Sequence, residues 1–276
     1  MADEANIDAY FERIGFAGSI APNLQTLEML HLQHPMAIAF ENIDPLLGVP
    51  VRLELKNLEQ KLLFEKRGGY CFEHNLLFKA VLETLGFEVK SLGARVRWGH
   101  PEGEERPVSH MVLAVDVGGI AYLADVGFGN LTLTAPIRFR ADTEQETPHE
   151  TFRVVGSDEQ GWTLEVRLGE TWRPLYSFEM KELTPDDTQS LNDKVSSGPT
   201  FRDHLLAARA FKDRRLALKD DRFRAYFNSG ESEERTLANV AELRDVLSNA
   251  FGINLPGSDR LDPALERLLG GGAAAA

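Results

Sequence analysis

Arg67-Gly68-Gly69-Tyr70-Cys71-Phe72-Glu73-His74-Asn75 places the chain's one cysteine where a turn gives way to a helix. Gly68 and Gly69 permit turn conformations that side chains disfavour. From Phe72 onward, apolar residues recur at Phe72, Leu76, Leu77, Val81 and Leu85, the spacing of one helix face, and Gly86 supplies a stop. Cys71 therefore falls in the first turn, where unpaired backbone N–H groups and the helix dipole favour an anion and predict a lowered thiol pKa. A thiolate there is a nucleophile. The competing reading is a small buried hydrophobe, the commoner fate of a free cysteine. A base elsewhere in the chain decides between them.

Beyond Gly86 the periodicity changes. Segments 89–98, 110–117 and 120–126 are rich in β-branched and apolar residues, with a polar loop over 99–107. Gly118-Gly119 between two apolar runs predicts a two-residue hairpin in which Val117 faces Ile120. In that register His110 and Asp125 lie on one face as diagonal neighbours, about 7–8 Å apart at their α-carbons, within reach of an imidazole and a carboxylate. A three-residue loop would put them on opposite faces. Asp125 also sits in an otherwise apolar strand, and a buried carboxylate needs a partner. Cys71, His110 and Asp125 thus supply a nucleophile, a base and a group that orients the base. Against this stands a satisfied core His–Asp pair with no chemical role.

The rest of the chain narrows the function classes. With 276 residues and a formal charge of −13, it argues against general nucleic-acid binding or an anionic membrane surface, so an anionic ligand needs a local basic pocket. One cysteine excludes an intrachain disulfide framework and a Cys-rich zinc site. The opening Met1-Ala2-Asp3-Glu4 lacks a basic and apolar leader, and no apolar run approaches membrane-spanning length, so a cytoplasmic location is expected. His31 and His34 are three apart, but no ligand cluster accompanies them, and they are expected to be solvated rather than metal-bound. Helices are expected over 7–11 and 24–32, further strands over 151–155, 162–168 and 172–180, and a helical stretch from Pro185. A hairpin over 214–227 and a helix over 237–251 follow. No internal repeat, P-loop or dinucleotide fingerprint is present.

The cysteine motif, His110 within Arg106-Pro107 to Met111, Asp125-Val126-Gly127-Phe128-Gly129 and Phe40-Glu41-Asn42 together resemble the arylamine N-acetyltransferases over nearly the whole chain. The resemblance implies an α+β fold with a cysteine-protease-like catalytic core. It implies a helical domain over 1–88 carrying the cysteine, a β-barrel domain over 89–196 carrying His and Asp, and an α/β lid over 197–265. The Gly/Ala-rich 266–276 is expected to be a disordered tail. The implied reaction is ping-pong N-acetylation of arylamines, arylhydrazines and hydrazides, with acetyl-CoA as co-substrate, no metal, and Cys71, His110 and Asp125 as the catalytic triad. Phe40, Phe128 and Phe201 are implied walls of the acceptor pocket, and Trp98 and Ser109 match positions that contact CoA in some relatives. Arg97, Arg202, Arg209 and Lys212 are possible sources of charge for the CoA phosphates. The resemblance implies no nucleic-acid or membrane partner and leaves open a homo-oligomer. Ala39 and His74 depart from the residues common in the family, and His74, three residues beyond Cys71, is expected as a helix-face residue, with an effect on local charge or acceptor preference as the alternative. Neighbouring chemistries of the same constellation are amide synthesis from a carrier-bound acyl group and thiol hydrolysis of amides, and a vestigial site would leave ligand binding alone.

Overall fold

The computed structural model describes residues 4–101 and 103–271. Helix α1 (Ile7–Ile14) starts at Asn6, whose side chain accepts from the Ala9 N–H at 3.1 Å, and Asn23 caps α2 (Leu24–Ala37) in the same way through Thr26. The two-residue strand β1 (Phe40–Glu41) and short helix α3 (Ile43–Leu46) lead to α4 (Leu55–Glu59), which continues as a π-helical turn, Gln60–Phe64. Helix α5 (Cys71–Thr84) follows, and Gly86, at φ +91°, takes the left-handed conformation that turns the chain away.

Strands β2 (Glu88–Val96), β3 (His110–Val117), β4 (Ile120–Ala124), β5 (Ile137–Arg138), β6 (Gln145–Glu146), β7 (Thr151–Ser157), β8 (Gly161–Leu168) and β9 (Thr171–Glu182) form one antiparallel sheet ordered β5-β4-β3-β2-β9-β8-β7-β6. Just past β5, Ala141 bridges to Val154 of β7, so the sheet curls into a nearly closed barrel. Gly118 and Gly119 both adopt positive φ, +62° and +83°, as a two-residue hairpin demands, and Val117 pairs with Ile120. The register proposed for His110 and Asp125 is therefore the one present.

After α6 (Pro185–Ser196) and α7 (Pro199–Arg202), β10 (Leu206–Ala210), β11 (Arg214–Lys219), β12 (Arg222–Phe227) and β13 (Ser232–Thr236) form a second antiparallel sheet. Its first strand is β1, with Phe40 opposite Ala208. Packing crosses the expected domain boundaries. Ala39, Ile43 and Leu46 join the core of the second sheet, and Leu191 and Val195 of α6 pack on the core around α5. A third core fills the barrel with Leu92, Val112, Phe152, Leu164 and Tyr176. The mixed helix and sheet architecture is the expected α+β class.

Helix α8 (Val240–Asp245) passes into a π-helical turn, Val246–Ala250, and closes at Gly252 with φ +69°. The expected tail is corrected in part. Helix α9 (Ser258–Gly271) runs through 266–271, because Leu265 is buried while Leu268 and Leu269 pack on the same core, and 272–276 lie outside the described residues. Among the described residues, no helix is long and apolar enough to cross a membrane.

Candidate active site

Cys71 is the first residue of α5, as its motif predicts, and is buried. The turn before it is fixed by an ion network. Arg67 donates to Glu41 Oε1 at 2.9 Å and reaches Asp44 at 3.1 Å, while Lys61 bridges Asp44 and Glu73 at 2.7 Å each. Glu73 then accepts the Tyr70 N–H at 3.0 Å, satisfying a donor at the helix start. Gly68 is required by contact as well as by turn geometry, since a Cβ there would lie 2.1 Å from the Ala39 carbonyl oxygen.

His110 Nε2 meets Asp125 Oδ2 at 2.7 Å, with both side chains almost fully buried. Asp125 Oδ1 accepts from Asn75 Nδ2 and from the Gly127 N–H, each at 3.0 Å. Its backbone N–H donates to His31 Nε2 at 3.1 Å, and its carbonyl accepts from the Thr132 hydroxyl at 2.8 Å. Burial pushes the Asp125 carboxyl up, but His110, Asn75 and the Gly127 N–H more than offset this and hold it below the usual range. Asp125 is thus an ionised acceptor that orients His110. Among the described residues, no protein group hydrogen-bonds His110 Nδ1, which leaves that nitrogen available for proton exchange.

Asn75, one helical turn beyond Cys71, ties the helix to both strands. It donates to the Met111 carbonyl at 2.7 Å and to Asp125, and accepts the Val126 N–H at 3.1 Å. Gly127 closes the contact from the other side, since a Cβ there would sit 2.9 Å from Cys71 Cα and 3.0 Å from its carbonyl oxygen. Gly127→Ala is expected to lower stability by about 1–3 kcal/mol through overpacking against backbone that cannot yield. The fall appears as a lower urea midpoint, and an unchanged midpoint contradicts the close approach.

The thiol departs from expectation. Burial pushes the Cys71 thiol up and the Asp125 charge adds to this, while the backbone N–H groups of Phe72 and Met111 act in the opposite sense. The helix terminus alone does not make a standing thiolate in so dry a site. Met111 directly follows His110 in β3, so the strand that carries His110 also supplies an amide that favours sulfur's charged form.

Phe40 and Phe201 come together, their ring centroids 6.4 Å apart, and both are half-buried. Asn42 holds this arrangement by donating to the carbonyls of Phe201 (2.9 Å) and His204 (2.7 Å) and accepting from the Leu206 N–H (2.7 Å). Phe128 stands apart from that pair, edge-on to His110 at 5.1 Å and against Tyr176 at 5.1 Å. Trp98 is 41 % exposed just past β2, and half-buried Ser109 immediately precedes His110, so both lie toward the His110 end of the paired strands β2 and β3. Arg209 is spent elsewhere, donating to the carbonyls of Met36 and Phe251, and Arg97 donates to Ser177 and the Glu104 carbonyl. A cleft of about 570 Å³ between Lys61, Glu73 and Arg260 is lined by neither Cys71 nor His110.

His31 and His34 are fully buried, contrary to the solvated placement expected for them, and His74, on α5, is fully buried as well. Sequence reasoning also assigned no role to Asn75, Asn42 or Tyr176. Asn75 carried a signal as a polar residue four positions from Cys71 on the apolar helix face, and Asn42 carried one only as a member of the Phe40-Glu41-Asn42 motif. Among the described residues, no three His, Cys, Asp or Glu side chains converge to hold a metal ion.

A family model described as N-acetyltransferase matches residues 23–260. The chain is 38 % identical to the arylamine N-acetyltransferase of Escherichia coli K12 over 90 % of its length and 89 % of that protein's. It is 40 % identical to that of Mycolicibacterium smegmatis, covering 91 % and 92 % respectively. The solved structure of the Mycobacterium marinum arylamine N-acetyltransferase in complex with CoA superposes with a TM-score of 0.91 at 36 % identity, over 95 % of this chain and 99 % of that one.

Proposed function

This chain belongs to the arylamine N-acetyltransferase family, and from that premise we propose that it moves acetyl from acetyl-CoA to arylamines, arylhydrazines and hydrazides by a ping-pong route through acetylated Cys71. The observation that carries the reading is the 2.7 Å His110–Asp125 pair with Nδ1 unclaimed, on a strand packed against the helix that begins at Cys71. His110, Cys71 and Asp125 form a core of the cysteine-protease type.

His110 Nδ1 takes the thiol proton as Cys71 Sγ bonds to the thioester carbonyl carbon. The bond from that carbon to the CoA sulfur breaks, and His110 returns the proton to the departing thiolate. In the second half-reaction the amine nitrogen bonds to the acetyl carbon, His110 removes its proton, and the Cys71 sulfur leaves and is reprotonated. Asp125 stays ionised throughout and stabilises the imidazolium. Phe40 and Phe201 form one wall for a flat acceptor and Phe128 another, beside the base. Exposed Trp98, an aromatic surface the fold does not bury, and Ser109 suit the co-substrate at the His110 end. A free thiol nucleophile fits a reducing compartment, and the cytoplasm is the proposed location.

The test is intact mass after mixing with acetyl-CoA and no amine. A gain of about 42 Da, absent in Cys71→Ala and lost on adding an arylamine with recovery of the acetylated amine, is the expected result. No adduct on the native chain overturns the proposal.

A further inference from the structure

A line of buried polar groups runs from α1 to the acceptor wall. The Tyr10 hydroxyl lies 2.9 Å from His34 Nδ1, His34 Nε2 lies 2.8 Å from His74 Nδ1, and His74 Nε2 lies 3.2 Å from the Ala39 carbonyl oxygen. All three side chains are fully buried. A carbonyl only accepts, so His74 Nε2 carries the hydrogen. A neutral ring then accepts at Nδ1, so His34 donates from Nε2 and itself accepts from Tyr10. Every proton in the line points the same way, toward Ala39.

The line ends where it can act on the site. Ala39 precedes Phe40, and its carbonyl also accepts the Gly69 N–H at 3.3 Å, while the Glu41 N–H donates to the Gly69 carbonyl at 2.8 Å. Phe40 is thereby held on both sides to the residue two before Cys71. Its ring lies parallel to the His74 imidazole, 6° between planes with centroids 6.4 Å apart, and has Phe201 and Gly129 as its other neighbours.

We propose that His74, supported by His34, is a positioning residue that sets the place and tilt of Phe40 and so determines how well flat aromatic amines fit the acceptor pocket. This rests on the acetyl-transfer reading of the site. His74 touches neither a reacting atom nor the His110–Asp125 pair, so its influence falls on the acceptor half-reaction.

His74→Leu keeps apolar bulk but removes the bond to Ala39 and the parallel ring. The expected result is an arylamine KM raised by about tenfold, with little change for hydrazine, which is too small to reach Phe40. Amine-free acetylation of Cys71 is expected to keep its native rate, and His74→Gln, which restores a donor, to recover most of the arylamine KM. Equal losses for both acceptors, or no loss for either, overturn the proposal. A native chain that does not become acetylated sinks the acetyl-transfer reading instead. For a variant that fails to fold, the imidazole nitrogen NMR spectrum of the native protein decides the matter. Both His34 and His74 are expected as Nε2–H tautomers at neutral pH, and a Nδ1–H form of either breaks the line and the proposal.

Discussion

Cys71→Ser is expected to lower amine acetylation by at least about 10³-fold while leaving the fold intact, because oxygen replaces sulfur in nearly the same shape. The size of the effect follows from the environment of Cys71. Burial and the Asp125 charge already push the thiol up, so in the proposed mechanism its ionisation depends on passing the proton to His110 as the attack occurs. A serine hydroxyl starts several pH units further from ionisation and gains nothing from sulfur's intrinsic nucleophilicity. The amides of Phe72 and Met111 that favour the thiolate do not close that gap. The comparison to make is single-turnover CoA release, with urea midpoints of both proteins as the control for folding. A serine variant that keeps most of its rate places the nucleophile elsewhere.

The Cys71 motif, the hairpin and the His110–Asp125 contact were legible in the sequence because each rests on a local rule. Glycines at a turn, helical spacing from Phe72 and period-2 alternation around Gly118-Gly119 need no knowledge of distant residues. What escaped depends on distant residues. Asn42 reads as a polar turn residue until Phe201, His204 and Leu206 arrive around it, more than 150 positions later. The pairing of β1 with β10 is equally non-local, and two residues carry no periodicity. The helix over 55–64 was visible in Leu55, Leu58 and Leu62 and went unread. The thiol differs from expectation because the helix terminus is opposed by burial, a quantity set by the packing of distant elements. The histidines were misplaced for a related reason. A lone imidazole is solvated by default, and only the meeting of α1, α2 and α5 with the Ala39 carbonyl and the Asp125 backbone N–H supplies partners that let His31, His34 and His74 go inside.

That burial makes stability strongly dependent on acid. Burial holds His31 and His74 down to about 4, and burial with neighbouring positive charge holds His34 well below its ordinary value. Each is neutral in the fold, whereas in the unfolded chain each protonates near 6.5. Below that value the unfolded state binds more protons, so stability falls as pH falls, by about 1.4 kcal/mol per pH unit for each group. The loss continues until the native rings themselves protonate, near 4. His31 and His74 alone amount to roughly 5 kcal/mol over the two units from 6.5 to 4.5, a large share of the stability of an ordinary domain, and His34 adds in the same direction. Glu73, whose carboxyl burial raises, works in the opposite sense, but it is one group against these three and His149, which burial also lowers. Asp125, held low, adds its own loss only below the ordinary carboxylate range. The urea midpoint is therefore expected to drop steeply between pH 7 and 5, with unfolding near pH 4.5. In the His34→Leu, His74→Leu double variant, two of the four lowered imidazoles are gone, so the slope should fall by roughly half even though the variant starts less stable. A midpoint that is flat from pH 7 to 5 in the native chain would mean that the buried rings take up protons as readily as those of the unfolded chain, and the directed line from Tyr10 to Ala39, which needs neutral rings, would be lost across that range.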